Sequence, residues 1–281
     1  MVKSDKVWLI TGCSSGFGRE LALAAHAAGD RVMATARRPE QLDDLVQTGD
    51  GRITAAALDV TDPASVTAAV ATTLDTYGRV DVVVNNAGYG SVGAVEELDL
   101  ADLRTLMEVM FFGAVEVTKA VLPYLRAQGS GAIVQMSSMG GQVGPPGFGA
   151  YCAAKFALEG LSEALAAEVR PFGITTMIVE PGAFRTEFGG ARMHRSTPID
   201  AYRVSTSQTR TAVDTMDGTQ PGDPARAAQA ILTALAADKP PLRLALGADA
   251  VEAIGHHLDQ VRADLEKWQD LSRSTALSGA A

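Results

Sequence analysis

Short apolar runs rich in β-branched residues alternate along this chain with longer alanine-rich segments of helical period. Such alternation is typical of βαβ units arranged around a parallel sheet. It predicts seven strands, at residues 7–10, 31–36, 53–58, 81–85, 132–136, 175–180 and 242–246. We therefore expect an α/β fold of the Rossmann type, a doubly wound parallel sheet in three αβα layers.

The same pattern predicts helices at residues 17–28, 99–125, 150–169 and 224–237, with the second interrupted near Gly113 and Pro123. A chain of 281 residues is expected to form one domain over 1–281, because continuous α/β sheets often reach this length. Between 183 and 222 the periodicity is poor, which predicts a lid over a ligand site. The small polar tail 272–281 is expected to fray.

Composition excludes several classes of function. The net charge of −9 and the pI near 5.0 disfavour nucleic acid as a partner, since no basic cluster offsets them. Cys13 and Cys152, the two cysteines, have no metal-ligand spacing, so we expect neither a disulfide framework nor a metal site. The first apolar run, 7–10, is too short for a signal peptide or a membrane span. We expect a cytoplasmic protein without a membrane span.

A glycine-rich loop follows the first strand and opens the first helix. Gly12, Gly16 and Gly18 would let the backbone turn tightly and approach a pyrophosphate, which the free N–H groups and dipole of the helix N-terminus favour. The spacing differs from the general Gly-x-Gly-x-x-Gly fingerprint. A strand-to-helix turn without a ligand is the alternative interpretation.

The end of the second strand bears on the choice of dinucleotide. An acidic side chain there binds a ribose 2′-hydroxyl, whereas a cation accommodates a 2′-phosphate. This chain has Arg37 and Arg38 and no acid, which favours NADP(H) and leaves NAD(H) possible. The two arginines could instead lie on a solvated turn before Pro39.

Tyr151 and Lys155 are spaced to lie on one face of a helix, about one turn apart. An ammonium at that distance should stabilise a phenolate and lower the pKa of the tyrosine, so that it exchanges protons at neutral pH. Ser137 and Ser138, at the end of the strand 132–136, supply hydroxyls that could polarise a substrate oxygen. Alone, the tyrosine–lysine spacing is weak, because such pairs occur often on exposed helices.

Together these motifs resemble the short-chain dehydrogenase/reductase family, whose nucleotide loop reads Thr-Gly-x-x-x-Gly-x-Gly. The resemblance extends to Asn85-Asn86-Ala87-Gly88 after the fourth strand and to Pro181-Gly182 with Thr186. It implies that Ser138, Tyr151 and Lys155 are catalytic. It also implies a set of cofactor-binding residues: Gly12, Ser14, Ser15, Gly16, Phe17, Gly18, Arg37, Asp59, Val60, Asn86, Ala87, Gly88, Tyr151, Lys155, Pro181, Gly182 and Thr186. Asp59 could instead cap a turn with Thr61, and Asn85 and Asn86 could be ordinary loop residues.

The segment 151–161 is similar to the branch that contains 17β-hydroxysteroid and retinol dehydrogenases, which implies a lipophilic alcohol or ketone. The resemblance also implies a homodimer or homotetramer, formed through the helices 99–125 and 150–169. One position departs from the family pattern. Met110 stands where the family usually carries an asparagine that helps to hold a proton-relay water, so the relay is incomplete as written.

The sequence therefore predicts an NAD(P)-dependent oxidoreductase acting on a small-molecule carbonyl or secondary alcohol. A dinucleotide-sensing protein without turnover is one alternative, although such proteins usually lack the tyrosine or the lysine. A sugar-nucleotide epimerase or dehydratase is another, although that branch tends to be longer.

Overall fold

A computed structural model describes residues 5–190 and 193–277. Nine strands and nine α-helices occur in these ranges. The strands are β1 Val7–Ile10, β2 Arg31–Ala36, β3 Ile53–Ala57, β4 Val82–Asn85, β5 Ser91–Val92, β6 Gly131–Met136, β7 Ile174–Pro181, β8 His194–Arg195 and β9 Arg243–Leu246. The helices are α1 Gly16–Ala27, α2 Asp43–Thr48, α3 Pro63–Tyr77, α4 Leu100–Met107, α5 Gly113–Gln128, α6 Gly149–Val169, α7 Arg203–Thr215, α8 Pro224–Leu235 and α9 Ala248–Arg273.

Seven of the strands form one parallel sheet in the order β3-β2-β1-β4-β6-β7-β9. The order reverses direction at β1, as in a doubly wound Rossmann-type fold. All seven predicted strands are confirmed, and no end differs from its prediction by more than one residue. The remaining two strands, β5 and β8, pair with each other outside the main sheet.

Both faces of the sheet are buried. Successive residues of a strand point to opposite faces, so Trp8 and Ile10 enter the core on the side of α1 and α8. Leu9 enters the core on the side of α3, α5 and α6. Parallel strands covered on both faces read as continuous apolar runs, which explains why the sequence located them so closely.

The predicted long helix 99–125 is divided by a π-turn, Glu108–Phe112, that ends at Gly113 as expected. The expected interruption at Pro123 is wrong, because α5 continues through it to Gln128. Pro123 lies on the exposed side of α5, where a backbone carbonyl that has lost its helical partner can bond to water. Val121 and Leu125 on the opposite side stay fully buried and hold the helix against the sheet.

Two predictions about the second half of the chain need correction. The lid 183–222 is not irregular throughout, because α7 occupies Arg203–Thr215 within it. The tail 272–281 begins as helix, since α9 continues to Arg273. Residues 191–192 of the lid and 278–281 of the tail lie outside the described residues.

Neither a membrane helix nor a metal cluster is found in the parts of the chain that the structure describes. Over 5–190 and 193–277, no helix is both long enough and apolar enough to cross a membrane. Within the same ranges, no group of three or more His, Cys, Asp and Glu side chains could hold a metal ion. Cys13 and Cys152 are both free and buried.

Candidate active site

The residues predicted for the site gather at one edge of the sheet, where the carboxyl ends of β1, β4, β6 and β7 meet. In open α/β sheets this edge, at the point where strand order reverses, is the usual ligand site. The glycine loop follows β1, Asn86 follows β4, Ser138 follows β6, and Gly182 follows β7.

The glycine loop requires glycine at three positions. Gly12 and Gly16 have φ angles of +72° and +58°, which side-chain-bearing residues rarely adopt. A Cβ at Gly18 would lie 2.5 Å from Gly12 O and 2.5 Å from Asn86 Nδ2. Ser15 caps α1 without a side-chain hydrogen bond, so the first N–H groups of the helix are not capped from that position.

A second segment lies over this loop. A Cβ built at Gly16 would be 3.4 Å from the Thr186 side chain, which places the segment after β7 opposite the start of α1. Gly182 N donates to Leu246 O, and Ala183 N donates to Asp249 Oδ2 at 2.7 Å. The Pro181–Gly182 end of β7 is therefore held by β9 and by the first turn of α9.

The loop after β4 is tied to the glycine loop by hydrogen bonds. The Thr11 hydroxyl accepts from Asn86 N at 2.9 Å and from Ala87 N at 3.0 Å. Asn86 Nδ2 donates to Thr11 O at 2.8 Å and to Gly12 O at 3.1 Å. Asn86 and Ala87 thus fix the shape of the glycine loop, whereas Gly88 is exposed beyond them.

The residues predicted to hold the adenosine half differ in what they contact. Arg37 is exposed at the end of β2, and its charge helps to lower the pKa of Asp59. The larger causes of that shift are two hydrogen bonds from Thr61, one from its N at 3.0 Å and one from its hydroxyl at 2.7 Å. The Asp59–Thr61 turn is therefore formed. Val60 is buried, and a Cβ at Gly113 would lie 2.7 Å from its side chain.

Ser138, Tyr151 and Lys155 are brought together. Tyr151 and Lys155 lie on α6, and both are buried. The Tyr151 phenol shares a hydrogen bond with Ser138, whose Oγ also accepts from Gly140 N at 3.0 Å. Lys155 Nζ donates to Met136 O at 2.7 Å and lies 5.8 Å from the centre of the Tyr151 ring.

The expectation that Lys155 lowers the pKa of Tyr151 is wrong for these side-chain positions. Burial raises the pKa of Tyr151, and the hydrogen bond from Ser138 opposes that rise only in part. Burial also lowers the pKa of Lys155 to about 8, against the charge of Glu159. At neutral pH Tyr151 therefore carries its proton and is placed as a proton donor.

A buried charged network behind Lys155 was missed by the sequence-based interpretation. Glu159, one helical turn after Lys155, accepts from Ser137 Oγ at 2.6 Å and from Gln142 Nε2 at 2.5 Å. Arg243 Nε lies 3.2 Å from a carboxylate oxygen of Glu159 and 3.2 Å from one of Glu180. A glutamate within the apolar strand preceding Pro181 was the available signal, because buried carboxyl groups need partners.

Burial, followed by the charge of Glu159, raises the pKa of Glu180 to about 7. Since the two carboxyl groups are also hydrogen-bonded to each other, the pair retains a proton that isolated glutamates would lose. The network joins the loop after β6, helix α6, strand β7 and strand β9. It is a structural support for three segments that carry predicted site residues.

Apolar side chains line the space next to Tyr151. Its ring packs against Phe148 and Phe188, with ring centroids 6.0 Å and 5.3 Å away. Met110, 2% exposed, belongs to the same cluster, so the position of the family's asparagine is part of an apolar wall. The π-turn that carries Met110 is a local feature found often at functional sites.

The segment predicted to form a lid, 183–222, is held by strand pairing and by an ion pair. Strand β8 of the lid pairs with β5, and Arg210 of α7 donates to Glu97 Oε2 at 2.6 Å. Glu97 Oε1 also accepts from Ile199 N at 2.8 Å. A second apolar cluster forms beneath the lid from Val92, Met193 and Val213, with Phe148 and Phe188 packed against it.

The chain is similar in sequence to proteins of one known family. The sequence profile of the family described as short chain dehydrogenase matches residues 6–196. The oxidoreductase BOA17 of Botryotinia fuckeliana is 44% identical over 272 residues, 96% of this chain and 99% of the relative. Human retinol dehydrogenase 8 is 42% identical over 197 residues, 68% of this chain and 62% of the relative.

A solved short-chain dehydrogenase from Streptomyces avermitilis superimposes with a TM-score of 0.93 and is 53% identical. The match covers 98% of this chain and 100% of that structure. Other solved structures with this fold were determined with NAD, NADP or 5-hydroxy-NADP bound. The similarity therefore extends beyond the profile match into the lid and α9.

Proposed function

Since the chain belongs to the short-chain dehydrogenase family, we propose that it transfers a hydride between a nicotinamide dinucleotide and a lipophilic carbonyl compound or secondary alcohol. The single observation that carries the proposal is the grouping of Ser138 with the buried Tyr151 and Lys155 beside a cluster of apolar side chains. In this group, Tyr151 can donate a proton and Ser138 can donate a hydrogen bond to the same substrate oxygen. Both are what a carbonyl undergoing reduction requires.

The residues at the sheet edge fit a dinucleotide. The positive φ angles of Gly12 and Gly16, together with the missing Cβ of Gly18, leave a backbone surface that a pyrophosphate can approach. Ser14, Ser15 and Phe17 would complete this cradle, with Asn86, Ala87 and Gly88 beside it. The segment from Pro181 and Gly182 to Thr186 would lie against the nicotinamide end. When bound, the nicotinamide donates or accepts the hydride.

We propose NADP(H) as the preferred cofactor, with NAD(H) possible. Arg37 is exposed at the end of β2, and its charge already acts on Asp59 across the β2–β3 edge. A guanidinium there can form charge-assisted hydrogen bonds to a 2′-phosphate. Asp59 and Val60 would contact the adenine, with the Asp59 side chain oriented by Thr61.

The chain's own side chains account for the proton. Tyr151 carries its proton at neutral pH, because the ordinary pKa of a tyrosine is already ~10 and burial raises it further. Its hydroxyl can therefore protonate a substrate oxygen as negative charge develops there. Ser138 would donate a hydrogen bond to the same oxygen. Lys155, held by Met136 O, would bind the nicotinamide ribose and provide positive charge next to the phenolate that forms.

The substrate class follows from the pocket. Met110, Phe148 and Phe188 pack in one apolar cluster with Tyr151. Met193 and Val213 form a second cluster that contacts the same two phenylalanines. Such a wall favours substrates whose reacting carbon carries hydrocarbon groups, because burying these groups releases water. Similarity to a human retinol dehydrogenase supports the same class. We also propose a cytoplasmic location, in keeping with the two free cysteines.

The test is a panel of ketones, aldehydes and secondary alcohols of increasing hydrocarbon size, followed at the nicotinamide absorbance. We expect turnover with the apolar members, and Tyr151→Phe should reduce it by ~10² or more while NADPH still binds. Tyr124→Phe, on the exposed side of α5, removes the same atom and should leave turnover unchanged.

Three results would contradict the proposal or its assigned acid. NADPH binding without turnover on any member of the panel would favour a dinucleotide sensor. NAD retained tightly through purification, with no net oxidation or reduction of a sugar nucleotide substrate, would favour an epimerase or dehydratase. Undiminished turnover of Tyr151→Phe would refute the assigned acid.

A further inference from the structure

Helix α9 extends away from the rest of the protein. It has 26 residues, which corresponds to a length of about 39 Å. Its buried residues, Ala250 and Ile254, are both in the first two turns. From Gly255 to Arg273 nearly every residue is exposed. The base of the helix is thus fixed to the protein, and the remainder presents its surface to solvent.

One side of this projecting helix is apolar. Val251, Leu258, Val261, Leu265, Trp268 and Leu271 have exposed fractions of 57%, 52%, 50%, 67%, 53% and 62%. With Ile254, the positions from 251 to 268 repeat with alternating spacings of three and four residues. That spacing is the a/d pattern of a helix that packs lengthwise against another helix. The sequence-based interpretation did not include this seam.

The seam exposes more apolar area than a surface without a partner usually does. Six apolar side chains that are half or more exposed present on the order of 500 Å², whereas monomeric proteins seldom leave more than a few hundred Å² of contiguous apolar surface exposed. With the polar residues on either side, the area approaches the roughly 800 Å² that each partner contributes to a stable interface.

Charge indicates what kind of partner fits. Residues 248–273 contain six acidic and three basic side chains, so an anionic membrane surface would be repelled. A heptad seam is best covered by a helix with the same repeat. A second copy of the chain supplies such a helix, and symmetric self-association is the commonest form of oligomer.

We propose that α9 pairs with α9 of a second copy in an antiparallel, two-fold symmetric coiled coil. In this arrangement Leu258 lies opposite Trp268 of the second copy, and Val261 lies opposite Leu265. Each layer joins a larger and a smaller side chain, which fills the space between two helices evenly. The C-terminal end of each helix then covers the exposed Val251 at the base of the other. This interface is separate from the contact predicted through α5 and α6.

A charge placed in the seam tests the pairing. Leu265→Glu should halve the number of chains per particle measured by light scattering during gel filtration. Ala263→Glu introduces the same charge into the same helix on its opposite, exposed face, and should leave the number unchanged. Helix content by circular dichroism and NADPH binding verify that both variants are folded.

Cross-linking tests the direction and register, and does not depend on a change in mass. Leu258→Cys combined with Trp268→Cys should form a disulfide between two chains under mild oxidation, whereas Leu258→Cys alone should not, because residue 258 lies ~15 Å along the coil from its own copy. Three results would overturn the proposal: a single-chain wild-type particle, an unchanged mass for Leu265→Glu, or efficient cross-linking of Leu258→Cys alone.

Discussion

Replacing Glu180 with glutamine tests whether the buried network behind Lys155 retains a proton on its pair of glutamates. Glu180 is 2% exposed, and burial followed by the charge of Glu159 raises its pKa from 4.5 to about 7. The glutamine side chain has the shape of the protonated acid and keeps a donor toward Glu159, but it cannot ionise. The other groups that face the pair are Ser137, Gln142, Lys155, Arg243 and, through Arg243, Glu163.

The sign of the pH dependence follows from the raised pKa. A carboxyl group that binds its proton more tightly in the folded chain stabilises the fold most below its unfolded pKa of 4.5. That contribution is lost as the pH rises through about 7. Between pH 5 and pH 8 the wild-type protein should therefore lose roughly 2–3 kcal/mol of unfolding free energy relative to Glu180→Gln.

The assay is urea unfolding followed by far-ultraviolet circular dichroism at four pH values from 5 to 8. Glu163→Gln is the matched control, because Glu163 contacts the same Arg243 with its side chain 57% exposed. Its free-energy difference from the wild type should vary little with pH. A difference between wild type and Glu180→Gln that is constant, or that grows in favour of the wild type as the pH rises, would refute the assignment of a retained proton.

Three further substitutions test the site. Lys155→Ala should lower both turnover and NADPH affinity, measured by fluorescence titration, and loss of only one would contradict its dual role. Arg37→Asp should shift preference from NADP(H) toward NAD(H); each charge-assisted bond lost is worth ~1.5–3 kcal/mol, so the ratio of the two kcat/KM values should change by ~10-fold or more. Met110→Asn should raise turnover and shrink the solvent deuterium effect if proton return to Tyr151 is limiting. Unchanged values for both would make Met110 a packing residue only.

The inner strands β1, β2, β4, β6 and β7 were predictable because burial on both faces makes them continuous, mainly apolar runs. The helices α3, α7 and α9 were not predicted. Helices α7 and α9 each bury only two residues, so most of their apolar positions do not face the core of the single chain. Helix α9 is the clearest example, since its apolar seam faces away from the core. An apolar seam that packs against a second molecule has no packing partner within the fold of one chain.

The site was predictable where local spacing decides it. Tyr151 and Lys155 lie one turn apart on α6, as their four-residue spacing predicted. The loop after β1 needs glycine at 12, 16 and 18, also as predicted. The direction of the pKa shift of Tyr151 was not predictable, because it depends on burial by side chains from other elements. Likewise, the contact of Arg243 with Glu159 joins residues 84 positions apart. Only the folded sheet places them together.

The carboxylate of Glu97 connects two parts of the segment 183–222 to the rest of the protein. Its two oxygens accept hydrogen bonds from Ala94 N, Ile199 N and the Arg210 guanidinium, and its side chain is 1% exposed. Partial detachment would leave a buried charge with fewer donors, a costly intermediate. The Ile199 and Arg210 contacts of Glu97 are therefore expected to break together and not one at a time, so that residues 196–210 behave as one unit in any movement of this segment.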